Sequence, residues 1–221
     1  MRVGFVGRGR IYDFDRESLA SQEQETQLIL FGFNGLGEVS YEKELRGESG
    51  YFERVATLSK ECKNVVVCGC ITDTRGLKRK SVVVAEKGKI LGVSDMLHAL
   101  DGELNSGGAI KLYDTAIGKI GVVVAEDLLF PDVVRSLSIC GAEFIVCPFG
   151  DVYDSVQSVL LRSYAYCYGI PIFLCAKGYS LAAEIDGGVL FASPQSPVYI
   201  DVELKKEYHL VETRRRGCYR P

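Results

Sequence analysis

GKIGVVVAEDLLFPDVVRSLSICGAEFIVCPFG, residues 118–150, is the stretch whose reading decides the fold. Residues 120–125 are continuously apolar, which predicts a strand buried on both faces rather than one with a wet side. The run breaks at Glu126-Asp127, where the chain must turn. Pro131 then opens a helix at the position where a missing N–H costs nothing, and Gly141 ends it. A second apolar run, 143–149, follows. The layout is strand, elbow, helix, strand.

Working outward, further runs rich in Val and Ile and bounded by Gly, Asp, Asn or Lys read as strands: 2–6, 27–31, 64–71, 81–86, 170–176 and 198–204. Helical spacing marks 50–63, where Phe52, Val55, Leu58 and Cys62 fall three or four apart, and 155–169, which again ends on a glycine. A further helix is expected over 15–26, opening on Asp15. The segment Asp73-Thr74-Arg75-Gly76 predicts a hairpin-like link between the strands at 64–71 and 81–86. Helices flanking a mixed sheet, with hairpins interrupting the strand–helix rhythm, indicate a layered α/β sandwich. The chain shows no internal repeat and no linker, so a single domain over 1–221 is expected.

Composition narrows the function classes. The 221 residues are 47% hydrophobic and 25% charged, an ordinary globular balance. A formal net charge of −3 argues against nucleic acid as a partner. The apolar runs are strand-length and do not span a bilayer, so no membrane association is expected. The N-terminus carries no signal-peptide pattern. Eight cysteines raise the question of a disulfide framework, but Cys68, Cys147 and Cys175 lie in apolar runs, where cysteine behaves as a small hydrophobe. A reduced, cytoplasmic protein is the expectation.

Several short motifs take ordinary readings. Gly7-Arg8-Gly9 follows a strand, as a dinucleotide fingerprint would, but Tyr12 stands where the last small residue is needed, and Asp13 and Asp15 would repel a pyrophosphate. A turn is the better reading. Cys68-Gly69-Cys70, with Cys62 nearby, lacks a second pair at zinc spacing, so no metal site is expected. The basic stretch 214–220 reads as a solvated tail, or as a brace for a partner subunit.

The 118–150 block resembles the centre of the nitrilase, or carbon–nitrogen hydrolase, superfamily. In that family a strand delivers a nucleophilic Cys at a sharp turn. Glu126-Asp127, Phe130-Pro131-Asp132 and Gly141-Ala142-Glu143 fit the frame, and the nucleophile position falls on Ala125. In 28–33, Gly32-Phe33 replaces the family's Pro-Glu, whose Glu is the general base. In 88–100, His98 matches the family histidine and Met96 stands where the catalytic Lys belongs. Residues 160–178 resemble a later helix and strand, with Tyr164 and Tyr166 among the departures. The resemblance runs from residue 2 to about 178, and the family's usual strand pair is expected to be trimmed in 179–197. It implies a four-layer α-β-β-α sandwich, a homodimer joined through the helix over 131–140, and no cofactor.

Family chemistry is covalent: a thiolate attacks, Glu moves protons and Lys stabilises the oxyanion. Alanine cannot attack, phenylalanine cannot take a proton, and methionine carries no charge. Replacing the Glu and the Lys together is expected to leave an apolar pocket with no stranded charge. Three readings follow. The favoured one is a catalytically inactive homologue that binds a small ligand or a protein partner. The alternative is a hydrolase of C–N bonds with relocated groups: Cys147 at the end of its strand, assisted by Glu126, Asp127 and His98. The third is a structural subunit. Glu103 is a candidate for an additional pocket glutamate seen in many relatives, with a surface carboxylate as the rival reading.

Overall fold

The computed structural model describes residues 1–15, 17, 26–100, 102–152 and 155–205. The helix expected over 15–26 and the basic stretch 214–220 lie outside these residues, apart from Asp15, Glu17 and Thr26. Two mixed sheets form. The first contains β1 (Arg2–Val6), β2 (Leu28–Phe31), β3 (Glu38–Ser40), β4 (Val65–Thr74), β5 (Leu77–Glu86), β6 (Lys89–Asp95) and β13 (Val198–Asp201), in the order β13-β1-β2-β4-β5-β6, with β3 beside β4. The second runs β12-β11-β10-β9-β8-β7, from β7 (Leu112–Thr115), β8 (Gly118–Val122), β9 (Phe144–Asp151), β10 (Ile172–Lys177), β11 (Tyr179–Ala183) and β12 (Val189–Ser193).

β1, β2 and β4 are parallel, as are β8, β9 and β10. The hairpin expected at 73–76 is present, joining β4 to β5 in register Thr74↔Leu77. Helices α1 (Tyr41–Leu45) and α2 (Tyr51–Glu61) belong to the first sheet's side. Helices α3 (Pro131–Ile139) and α4 (Val156–Tyr168) pack on the second. The glycine expected to end α4, Gly169, caps it in the left-handed conformation at φ 59°, where glycine carries no Cβ penalty.

Strand alternation sorts the core into three apolar layers. Val82 and Val84 of β5 face inward with Ile120, Phe144 and Phe173 of the second sheet. Val83 and Ala85, one residue out of phase, face α2 with Val55 and Leu58. On the far side, Ile145, Leu174 and Leu181 meet Val134 and Leu137 of α3 and Leu161 of α4. Helix, sheet, sheet, helix is the four-layer sandwich the resemblance implies.

Residues 179–193 hold a strand pair: β11 and β12 pair antiparallel, with Ser180 opposite Ser193 and a register shift at Ala182/Ala183. β12 is the edge strand of its sheet, and Val189 and Leu190 are 47% and 40% exposed.

Candidate functional site

At the C-terminal ends of the parallel strands the two sheets close on each other. The Phe33 N–H donates to the Phe149 carbonyl at 3.1 Å, a main-chain bond between the sheets. A β-carbon on Gly7 would sit 2.1 Å from the Ala176 carbonyl oxygen, so only glycine fits there. Gly69, in the middle of the Cys68-Gly69-Cys70 motif, faces the Phe33 backbone: a β-carbon would lie 2.4 Å from its Cα. The glycine rather than the thiols explains that motif, because Cys68 and Cys70 pack into the α2-facing core.

Phe33, Met96 and Ala125, far apart in sequence, come together in the inter-sheet core. They are 6%, 1% and 1% exposed and belong to one apolar cluster. Ala125 sits where β8 gives way to a 3-10 turn, Ala125–Leu129, and its φ is +48°. The other described non-glycine residues with positive φ, Lys63, Arg75 and Lys87, lie in exposed turns. A left-handed alanine in the core costs on the order of 1 kcal/mol and persists only where its surroundings impose it.

Those surroundings are the anchors. Asp127 is almost fully buried, and its carboxylate accepts the Leu97 N–H at 2.8 Å and the His98 N–H at 3.0 Å. His98 Nδ1 lies 2.9 Å from the same carboxylate, and the imidazole stacks on Phe130 with centroids 3.8 Å apart. The elbow and the segment carrying Met96 are thus clamped together by Asp127, His98 and Phe130.

A paired charge stands at the edge of the apolar cluster. Lys80 of β5 lays its Nζ 2.6 Å from Glu126 Oε1 and 5.6 Å from the centre of the Phe33 ring. The pair is partly buried, with side chains 19% and 27% exposed. Its partner oxygen, Glu126 Oε2, is buried with no hydrogen-bond partner among the described residues. An ion pair therefore borders the three apolar replacements. The sequence reading missed Lys80, although alternation could have found it: 80, 82 and 84 share the face that Val82 and Val84 turn to the opposite sheet.

The remaining candidates are dispersed. Cys147 does not end its strand, because β9 continues to Asp151. Its side chain belongs to the helix-facing layer, away from Phe33 and Met96, with Sγ 3.9 Å from the Ala125 carbonyl. Burial, with Asp127 and Glu126 nearby, pushes its thiol well above the ordinary value, so it is not a thiolate near neutrality. Glu103 is exposed, close enough to Lys78 to act on its charge. No cluster of three or more His, Cys, Asp or Glu side chains among the described residues is arranged to hold a metal. No described helix is long and apolar enough to cross a membrane.

On the outer side of Phe33 a cleft of about 390 Å³ opens, with Phe149 as its other aromatic wall.

Comparison with known proteins accords with this architecture. The probable nitrilase C965.09 of Schizosaccharomyces pombe is 24% identical over 159 residues, covering 66% of this chain; the match spans little more than half, 57%, of the yeast protein. A cysteine-to-alanine variant of the amidase from Nesterenkonia sp. AN1, in complex with butyramide, superposes with a TM-score of 0.75 at 19% identity, over 90% of this chain and 88% of that one. A carbon–nitrogen hydrolase from Helicobacter pylori G27 gives 0.73 at 16%, over 90% and 87%. The carbon-nitrogen hydrolase family model matches residues 14–207, and the chain belongs to that family.

Proposed function

We infer that this is a non-hydrolytic member of the carbon–nitrogen hydrolase family, retained for binding a small ligand or for assembly with a partner subunit. The observation that carries the reading is Ala125. Its backbone is left-handed, the family frame around Glu126-Asp127 and Phe130-Pro131 assigns the nucleophile to this position, and it is packed in one apolar cluster with Phe33 and Met96. With no attacking atom there, the covalent route has no first step. The relocated route through Cys147 is opposed by that thiol's burial and its position in the helix-facing layer.

Binding without turnover is compatible with the fold, since the Nesterenkonia amidase variant is described in complex with butyramide. The test is ammonia release from a panel of aliphatic and aromatic amides and nitriles. No release above buffer is expected; steady release that a substitution at Lys80 or Glu126 abolishes would refute the reading.

Assembly is the second part of the inference. α3 and α4 present exposed apolar side chains, with Ile139 at 54%, Val159 at 57% and Tyr166 at 48%, the kind of surface that copies of a chain cover by pairing. A homodimer is the expected state. A monomeric mass by light scattering at micromolar concentration would count against it. A cytoplasmic setting suits the fully buried free thiols Cys68, Cys147 and Cys175.

A further inference from the structure

We propose that the cleft outside Phe33 is a binding site for a small organic carboxylate. This rests on the non-hydrolytic reading, because it gives the retained fold a ligand. The cleft draws three cations, Arg8, Arg10 and Lys177, from the ends of β1 and β10. One carboxylate, Asp13, faces them, and its Oδ2 is engaged by the Arg10 backbone N–H at 2.7 Å. The chain as a whole carries −3, so this concentration of positive charge is local and runs against the average.

Geometry concentrates it further. Arg8 Nη2 lies 3.0 Å from where a β-carbon on Gly178 would be, which brings its guanidinium against the residue following Lys177. Neither Arg8 nor Arg10 has an acidic ion-pair partner among the described residues, while Lys177 has a loose one, Asp151 at 3.6 Å. With two arginines lacking an acidic partner, the cleft keeps a positive excess that an anion would offset. A guanidinium offers paired N–H donors matched to a carboxylate.

Glycine fixes the path of the segment that carries Arg8. Gly7 is held against the Ala176 carbonyl, and Gly9 has φ +100°, a conformation side-chain-bearing residues avoid. Phe33 and Phe149 supply apolar walls, which suit a hydrocarbon or aryl body rather than a bare inorganic ion. The same feature explains Gly7-Arg8-Gly9: the glycines let the backbone fit against Ala176 and Phe14, and the arginine between them supplies charge to the cleft.

The experiment is calorimetric and thermal titration of the full chain with benzoate, benzamide and inorganic phosphate. Benzoate is expected to bind saturably and to raise Tm, with benzamide and phosphate each weaker by about tenfold or more. Arg8→Gln should weaken benzoate by about tenfold, because it removes a charge-assisted bond. Lys78→Gln, an exposed lysine paired with Glu38, should leave binding unchanged. Benzamide equal to benzoate, phosphate stronger than benzoate, no binding below about 10 mM, or indifference to Arg8→Gln would each overturn the site. Release of ammonia from benzamide would instead overturn the non-hydrolytic reading, so the two failures are distinguishable.

Discussion

Two halves of the same site behave differently. On the elbow side, Ala125 keeps a left-handed backbone, Asp127 gathers three contacts from residues 97 and 98, and Phe130 stacks on His98. On the opposite side, where the family pattern places a glutamate and a lysine, Phe33 and Met96 fill the inter-sheet core and Lys80 reaches in from β5 to Glu126. The elbow half looks intact because its remaining side chains hold backbone, and backbone hydrogen bonds must be satisfied whatever the chemistry. In the family pattern the other half carries groups for proton transfer and anion stabilisation; here Phe33 and Met96 are packed in one apolar cluster.

The sharpest way to break this contrast is Asp127→Ala. Two buried N–H groups and the His98 ring lose their acceptor, and the loss should be about 3–5 kcal/mol in urea unfolding. A loss below about 1 kcal/mol would mean that the elbow is held by something else. Behind the elbow, Cys147 gives the next largest effect. Its folded-state pKa is raised, so the thiol's contribution is whole below the ordinary value near 9 and disappears as pH climbs above it. Stability should fall by about 1.4 kcal/mol per pH unit from this group beyond pH ~9, and Cys147→Ala should flatten that part of the alkaline profile.

On the rebuilt side the effects are smaller. Lys80→Met leaves Glu126 partly buried beside Phe33 without its cation, a cost of about 1–2 kcal/mol after solvent screening. Adding Glu126→Leu should recover most of it, which a double-mutant cycle would read directly. The smallest change is expected at Ala125→Gly. Relief of the left-handed strain is offset by the greater freedom of the unfolded chain, leaving a net shift within about 0.5 kcal/mol. A loss above about 1 kcal/mol would show that the alanine methyl contributes packing of its own.

Much of this was legible in sequence, and the reasons are physical. The apolar runs of β1, β2, β4, β8, β9 and β10 are buried on both faces, so they print their strands without alternation. Pro131 and Gly141 fix the helix after the elbow, and the convergence of Phe33, Met96 and Ala125 followed from the family frame. What escaped lay where burial is partial or where contacts are long-range. β12 is an edge strand whose side chains are exposed or only half-buried. Lys80 required knowing that β5 turns its even positions toward the second sheet. The Arg8, Arg10 and Lys177 cleft joins segments nearly 170 residues apart, a proximity that no local pattern encodes.

The main-chain bond from Phe33 to Phe149 has a consequence for motion. Most backbone bonds here lie within one sheet or one helix, and they survive if the two sheets slide or part. This one does not. Its amide proton is therefore a built-in gauge: slow hydrogen exchange at Phe33 would report that the two halves of the sandwich stay joined, and faster exchange there than in β2 would reveal the sheets breathing apart at that end before the protein unfolds.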